Sequence, residues 1–320
     1  MNVSTDYSTT RDDSIDWWTL GGSGFFYIIV LAIGIISSKI AYKFQTGDNA
    51  NSAANTVMVG NRDFGWFISI CTISATYIGA AAVVASPERT YHNGVVSGCL
   101  FGFSFSAVCL FFAGVLFGRK IRESNCVTFI EIFQNRYGII VGSLFSIPAF
   151  VCELMCVAAT LSALGTALAV MANIEDKISI IVSAVIAISY TFFGGIFSVA
   201  YTDIVQLAFI IVGVACALPY ALTNEAVHFP TDKREFFLGK LKDPTVASVM
   251  FEIDSFLSLT FGAIAWQCLM QRVLAARNAT IATYGCIISG FVATAITCLP
   301  LTMGAIARAT GKNLPFLSFE

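Results

Sequence analysis

The amino-acid sequence predicts an all-α polytopic membrane protein, and two observations support this fold class. Hydrophobic residues make up 57% of the 320 residues and charged residues only 12%. Soluble domains are roughly 45–50% apolar and about 25% charged, so the chain lies far outside that class. The apolar residues also occur in blocks of roughly 20, the length that an α-helix needs to cross a bilayer.

The apolar blocks predict about eight membrane spans. Most are close to one bilayer thickness, but the fourth is longer than a single crossing needs, so we expect it to be tilted or to extend beyond the membrane. The spans define a transmembrane domain at 24–308, with tails at 1–23 and 309–320. Their approximate ranges are 24–44, 64–85, 94–118, 139–172, 177–195, 202–222, 250–272 and 279–308.

Charge around the spans predicts the orientation of the chain. The N-terminal tail is polar and acidic rather than basic and then apolar, so we expect no cleaved signal peptide and an extracellular tail. The loop after the third span is basic, as cytoplasmic loops are. In that loop "CVTFIEIFQNRY" is amphipathic, which fits either a helix along the inner membrane surface or a solvated loop helix.

Several classes of function are excluded by composition. The net charge is −2, so no basic surface indicates a nucleic-acid partner. All cysteines except Cys126 fall in apolar segments, where thiols behave as small hydrophobic groups, and no C-x-x-C spacing occurs. The two histidines, His92 and His228, lie in predicted loops, and neither G-x-S-x-G nor H-E-x-x-H is present. We therefore expect no enzyme and no cofactor.

Two spans contain features typical of interrupted helices. "ISATYIGAAAVVASPE" in the second span mixes Ser, Thr, Gly and Ala around Tyr77, and "SFLSLTFGAIAWQCLMQR" in the seventh has Gly262 at mid-membrane. Small residues in spans also serve close helix packing. Broken helices at corresponding positions of two halves, however, indicate the central site of a secondary transporter. Because the two spans are five helices apart, the sequence favours transport.

Ionisable groups inside the predicted spans are candidates for function, since each costs about 2.5–3.5 kcal/mol at mid-depth. Glu153 lies near the middle of the fourth span and should face the bundle, either as a functional carboxylate or as a protonated or structurally bonded group. Asp254 lies near the beginning of the seventh span. It fits either an outer vestibule that attracts cations or a favourable helix dipole.

The stretch "TFFGGIFSVAYTDIVQ" places polar residues at a predicted helix junction. Gly195 is expected to end the fifth span and Thr202 to cap the sixth, with Asp203 in its first turn. Gln206 follows on roughly the same face. The pair fits either simple capping or a set of oxygen ligands for a passing cation. Elsewhere Tyr77 and Trp266 fit either packing or cation–π binding.

This stretch resembles the signature of the sodium/solute symporter family, in which one helix ends in Gly-Gly and the next opens with Thr-Asp and a Gln. The resemblance extends to the high-affinity choline transporter branch and runs in family order from about residue 55 to the end. Its segments are "GNRDFG", "ISATYIGAAA", "CVTFIEIFQNRYG", "LSALGTALAV", "GGIFSVAYTDIVQL", "DSFLSLTFGAIAWQ" and "QRVLAARNAT".

The resemblance implies the LeuT-like inverted-repeat transporter fold, with one extra helix before a first five-helix repeat at 64–222. The region 250–308 then begins a second repeat, which is expected to be incomplete in this chain. The implied function is sodium-coupled symport of choline or a related small cation across the plasma membrane, often assisted by chloride. The implied partners are the lipid bilayer, choline or another small amine, sodium, and either a homo-oligomer or a full-length transporter.

The resemblance also implies site residues. Trp266 matches a family tryptophan at the cation site, and Tyr77 stands where the choline branch usually has tryptophan. Sodium is expected at the broken helix, near the backbone carbonyls of Cys71 and Ser74. The acid of the Thr-Asp motif, Asp203, is associated with sodium coupling. These ion-coupling positions are Cys71, Ser74, Asp203 and Gln206. The acids implied in the vestibule or the gates are Glu88, Glu153 and Asp254.

Two departures from the family pattern lead to further expectations. Cys156 falls where the choline branch carries another tryptophan of the cation cage, so a related amine or another small solute is an alternative to choline as substrate. The absent helices of the second repeat lead to an alternative function. In that alternative the chain is a truncated, non-transporting membrane protein that binds solute or regulates a full-length transporter.

Overall fold

The protein is described here as a computed structural model covering residues 17–43, 50–172, 174–225, 227–228, 230, 232–241 and 244–310. The described residues are almost entirely helical, and their one isolated β-bridge joins Phe64 to Ala276 in parallel. The predicted all-α polytopic class is therefore confirmed.

Six helices in the described ranges are long and apolar enough to cross a membrane. A bent pair, Trp66–Tyr77 and Ala81–Asn93, forms a seventh candidate span with an angle of 52° at its break. The shorter apolar helix Lys177–Ser189 occupies the place of the predicted fifth span. The six are Trp17–Ser37, Val95–Glu123, Ile139–Met171, Gly195–Leu222, Val246–Ala265 and Ala279–Ala309.

The first broken span consists of α3, Trp66–Tyr77, and α4, Ser86–Asn93, joined by a π-helical turn at Ala81–Ala85. Ile78 leaves helical geometry with φ −95° and ψ 29° directly after α3. The predicted interruption of this span is present, and Tyr77 stands at the last helical position before it. The chain before this span forms α1, Trp17–Lys43, which begins ahead of the predicted start at residue 24, and α2, Ala50–Val59.

The third span is one rod in which three helices alternate with π-helical turns. They are α5, Val95–Phe103, α6, Cys109–Phe112, and α7, Arg119–Glu123. The amphipathic segment after it forms α8, Phe129–Tyr137, whose first turn is capped by Thr128. Gly138, with φ 88°, then redirects the chain into α9, Ile139–Ala172. A helix was predicted at "CVTFIEIFQNRY", and this part of the prediction is confirmed.

α10 runs from Asp176 to Leu222 and has one internal kink at Gly195, with φ 54° and ψ −151°. The helix resumes directly after Gly195, so the prediction that Thr202 caps a new helix is wrong, as is the placement of Asp203 in a first turn. Thr202 instead donates to the carbonyls of Ser198 and Val199 in the preceding turn, at 3.0 and 2.9 Å. A capping side chain points the other way, toward the amides that follow it.

The second broken span consists of α12, Val246–Leu257, and α13, Gln267–Ala275. A π-helical turn at Ser258–Gly262 and a 3₁₀ turn at Ala263–Ala265 join them. Trp266 is extended, with φ −66° and ψ 127°, so the predicted interruption is present at Trp266 rather than at Gly262. The short helix α11, Lys233–Leu238, precedes this span, and α14, Ala279–Ala309, follows it.

α14 forms the centre of the described bundle and packs against α3, α4, α5, α6 and α10. Small residues allow these helices to approach closely. At Gly304, for example, an added Cβ would lie 2.5 Å from the carbonyl oxygen of Pro87 on α4. α9 and α1 lie outside and pack against α10. α14 thus contacts both halves of the first broken span and the second half, α13, of the other.

Candidate functional site

A cavity of about 790 Å³ lies between the two helix breaks and α9. Its walls are mainly small and apolar side chains, with few polar groups among them. The first break contributes Thr76, Gly79, Ala80, Ala81, Val84 and Ala85, and the third span contributes Phe105. α9 contributes Ala149, Cys152, Glu153, Cys156, Ala159, Thr160 and Ala163, and the second break contributes Ser258, Leu259, Gly262, Ala263, Ala265, Trp266 and Gln267.

The charge of this cavity comes from Glu153. Among the lining residues described, it is the one carboxylate, and none of the others is Lys, Arg or His. Its oxygens accept a bond from the thiol of Cys268 on α13, with Sγ 3.5 Å from Oε2 and 3.7 Å from Oε1. As predicted, Glu153 faces the bundle. A carboxylate in a cleft with low-dielectric walls attracts cations and repels anions.

Aromatic rings form one side of the cavity. Trp266 and Phe105 line it, with ring centroids 6.3 Å apart. Tyr77 is fully buried behind them, 5.9 Å from Trp266 in an edge-to-face arrangement and 4.9 Å from Phe105. Its hydroxyl donates to the carbonyl of Ala263 at 3.1 Å. The structure thus brings together the two predicted aromatics, with Tyr77 supporting Trp266 and the turn before it. Direct substrate contact by Tyr77 stays a prediction.

Two residues of the second break that line the cavity also carry buried polar atoms. Trp266 Nε1 and Gln267 Oε1 are buried, and neither has a hydrogen-bond partner within the part of the chain that the structure describes. One is a donor and the other is an acceptor. Buried polar groups without partners are costly, so a ligand hydroxyl that satisfied both atoms would gain from the contact.

Asp203 belongs to a separate buried cluster. Arg272 on α13 pairs with it, with Nη2 3.1 Å from Oδ2, and each side chain is 11% exposed. Thr72 on α3 donates its hydroxyl to the same carboxylate oxygen and accepts from Arg272 Nε at 2.9 Å. The cluster joins α3, α10 and α13. Sequence reasoning missed Arg272, although an arginine at the last position of the predicted seventh span was a visible signal.

The other predicted ion-coupling residues lie around this cluster. Cys71 is half-buried beside Thr72, and Ser74 is buried and donates to the carbonyl of Ser289 at 3.4 Å. Gln206 is half-buried, and within the described ranges no hydrogen bond joins it to Asp203. No group of three or more His, Cys, Asp or Glu side chains there is arranged to hold a metal ion. A sodium site at these positions therefore stays a prediction and would depend on backbone and hydroxyl oxygens.

The remaining predicted acids lie beside a buried ion pair that the sequence reasoning did not find. Glu88 is half-buried on α4, and Asp254 is exposed on α12. Arg89 directly follows Glu88, and Glu252 lies two positions before Asp254. Arg89 and Glu252 form an ion pair with a distance of 2.8 Å between Nη2 and Oε2. Ser97 donates to Glu252 at 2.6 Å and accepts from Arg89 at 3.0 Å. The pair joins the second half of one broken span to the first half of the other.

The opposite ends of the broken spans are also joined. Phe64 donates its amide to Ala275 at 3.2 Å, and Arg277 donates its amide to Phe64 at 3.0 Å. Asp63 pairs with the Arg277 side chain at 2.5 Å. Arg122 adds bonds from α7 to the carbonyls of Ala276 and Arg277, at 2.5 and 3.0 Å. The start of α3 and the end of α13 are therefore held together.

Comparison with known proteins places this sequence in a family. The sequence model of the sodium:solute symporter family matches residues 57–313. The chain belongs to this family. The resemblance inferred from the Gly-Gly and Thr-Asp segments is therefore confirmed, and this symporter-family member is a multi-pass membrane protein.

Curated relatives of this symporter-family chain include three high-affinity choline transporters. The one from Caenorhabditis elegans is 35% identical over 287 residues, covering 89% of this chain and 49% of the relative. For Drosophila melanogaster the identity is 34% over 295 residues, with 90% and 45% covered. For Homo sapiens it is 33% over 301 residues, with 90% and 50% covered. The chain spans about half the length of the curated relatives it matches.

The names of these relatives bear on two expectations from the sequence. All three are named as transporters, so the prediction that the symporter-family chain is not an enzyme is confirmed. Nothing in these names supports the alternative of a non-transporting regulator.

Proposed function

We propose that the chain provides the substrate cavity and coupling elements of a sodium-coupled symporter for choline or a related small cation. The observation that carries this proposal is the position of Glu153 and Trp266 on one cavity, at the junction of two broken helices. One supplies a negative charge and the other an aromatic face. Together they match the two ways in which proteins hold a quaternary ammonium group.

The rest of the cavity fits the remainder of such a substrate. A hydroxyl at the end of a short chain can accept from Trp266 Nε1 and donate to Gln267 Oε1, the two buried atoms that have no partner in the described part of the chain. The small residues at both breaks leave room for the methyl groups of the cation. Cys152 and Cys156 on the α9 wall have smaller side chains than aromatic residues and leave more space in the cavity. The cavity therefore accepts amines larger than choline.

Sodium coupling in this proposal depends on the broken helices. Backbone carbonyls freed at a break are suitable ligands for a monovalent cation, and such discontinuous helices hold coupling ions in secondary transporters. We assign this role to the end of α3, where the helix stops after Tyr77, with Cys71 and Ser74 as nearby positions, within an inverted-repeat arrangement of 64–222 and 250–308. Asp203 then acts from the neighbouring cluster, where its pairing with Arg272 and Thr72 joins α10 to both broken spans.

The test is uptake of labelled choline by membranes or cells that contain the chain, with sodium replaced by lithium in parallel samples. We expect uptake in sodium that falls to background in lithium, and loss of uptake in Glu153→Gln. Glu123→Gln is the matched control, because Glu123 is 53% exposed and pairs only with Arg119 within the described contacts. Equal uptake in sodium and lithium, or normal uptake by Glu153→Gln, contradicts the proposal.

A further inference from the structure

Two thiols of α9 lie on the wall of the cavity, and the proposed transport makes no use of their reactivity. Cys152 and Cys156 are one helical turn apart and therefore share a face of α9, and both line the cavity. Cys152 is exposed, and Cys156 is half-buried. The carboxylate of Glu153 lines the same cavity. The pair thus combines a nucleophilic group with an attraction for cations.

We propose that Cys152 and Cys156 form a covalent modification site for small cationic thiol-directed electrophiles. A suitable electrophile is a methanethiosulfonate with a quaternary ammonium group. The thiolate sulfur attacks the sulfenyl sulfur of the reagent, a new S–S bond forms, and the S–SO₂ bond breaks. Methanesulfinate leaves with the electron pair, and the thiol proton passes to solvent. The product is a mixed disulfide that places a trimethylammonium group in the cavity.

Selectivity for cationic reagents follows from Glu153. A cleft lined by one sign of charge raises the local concentration and association rate of the opposite charge by roughly 10-fold or more. A cationic and an anionic reagent of similar size react with the same thiolate, so the ratio of their rates depends on reagent charge and not on how readily the thiol ionises. The cationic reagent is expected to react at least about 10-fold faster.

Other thiols of the chain provide internal controls. Cys109 and Cys286 are fully buried in the core, each with 0% exposure, and neither lines the cavity. Cys268 donates its thiol to Glu153 but is not among the residues that line the cavity. A reagent that reached thiols through general unfolding would label the core thiols together with the cavity thiols. Labelling restricted to α9 would indicate entry through the cavity.

The experiment treats membranes containing the full chain with 2-(trimethylammonium)ethyl methanethiosulfonate or with the negatively charged 2-sulfonatoethyl reagent. Peptide mass spectrometry then measures the labelled fraction of each cysteine over time. We expect labelling of Cys152 and Cys156, little at Cys109 and Cys286, and at least about a 10-fold preference for the cationic reagent. Glu153→Gln should reduce that preference toward unity while both thiols remain reactive.

Two results overturn the inference. One is the absence of label at Cys152 and Cys156 in membranes when the same thiols are labelled after denaturation. The other is an equal rate for both reagents in the unchanged protein. Cys152→Ser and Cys156→Ser separate the two thiols, and labelling of the remaining one shows that each variant keeps its cavity.

Protection by choline separates this inference from the proposed function, on which only the protection depends. Labelling that is slowed by millimolar choline supports both. Labelling that is selective for the cationic reagent but unaffected by choline supports the modification site and contradicts choline as the substrate. Protection with no charge preference overturns the role of Glu153 in attracting the reagent.

Discussion

Arg272 donates to Asp203 across the interface of α13 and α10, with Nη2 3.1 Å from Oδ2 and each side chain only 11% exposed. Two charges this far from solvent are stable only because each compensates the other, and removal of one leaves an unpaired buried charge. The hydroxyl of Thr72 completes the contact from α3. This ion pair therefore links the second broken span to α3 and α10.

Loss of Arg272 should destabilise the protein more than loss of both charges. Arg272→Gln leaves the Asp203 carboxylate buried without its counter-ion, at an expected cost of about 3–5 kcal/mol. The double variant with Asp203→Asn should recover part of that loss. Thermal unfolding in detergent, followed by the fraction of monodisperse protein, measures the effect. Additive losses in the double variant would show that the two residues are not coupled.

Glu252→Gln should lower thermal stability through the second buried pair. Arg89 is 13% exposed and would keep a bond to Ser97 but lose its charge partner. An effect of about 3–5 kcal/mol is expected for this site. Glu123→Gln provides the control, because an exposed i,i+4 pair contributes only about 0.3–0.5 kcal/mol. Similar melting temperatures for the two variants would show that the buried pair contributes no more to stability than the exposed one.

Trp266→Ala should weaken binding of a cationic solute about thirtyfold. The loss of one desolvated cation–π contact costs about 2 kcal/mol, and each 1.4 kcal/mol is about a factor of ten. Trp266→Phe keeps an aromatic face and should lose less. The measurement is the concentration of unlabelled choline that displaces half of the labelled choline. Trp18→Ala is the control, because Trp18 is 93% exposed. Unchanged displacement by Trp266→Ala would place the cation elsewhere.

Gly195→Ala should disrupt the kink of α10. Gly195 adopts φ 54° and ψ −151°, which is open to glycine and strained for other residues by about 1–3 kcal/mol. An added Cβ would also lie 2.7 Å from the carbonyl oxygen of Val57. Gly213→Ala, in the same helix with no atom within 4 Å of its added Cβ, should be neutral or slightly stabilising. Comparable melting temperatures for both variants would argue against strain at Gly195.

The helix breaks could be predicted because their causes are local. Glycine, small residues and polar groups at mid-membrane weaken a helix wherever they occur, and "ISATYIGAAAVVASPE" and "SFLSLTFGAIAWQCLMQR" contain all three. The exact position of the break in the second broken span was harder to predict from the sequence. Trp266, rather than Gly262, is the extended residue, because the turn before it is held by the bond from Tyr77 to Ala263. That bond comes from a residue far away in the chain.

The partners of the charged residues could not be read from the sequence for the same reason. Arg89 and Glu252 are 163 positions apart, and Arg272 and Asp203 are 69 apart. Local reasoning placed Asp203 at a helix start, because Thr-Asp is a common N-terminal pair. The helix resumes directly after the kink at Gly195, so Asp203 lies inside the helix. Its carboxylate is the buried counter-ion of Arg272. Glu153, by contrast, was found correctly as a bundle-facing carboxylate, because its burial follows from membrane depth alone.

Equilibrium binding of labelled choline to the purified chain, with and without sodium, measures whether the substrate and the ion bind to one coupled site. If the cavity and the coupling elements form one site, sodium must raise the affinity for choline, and choline must raise the affinity for sodium by the same factor. We predict tighter choline binding in sodium than in lithium, with the difference reduced in Asp203→Asn and the binding itself lost in Glu153→Gln. Choline binding that is the same in sodium and lithium would contradict a coupled site. Choline binding that is unaffected by Glu153→Gln would contradict the cavity as the cation site.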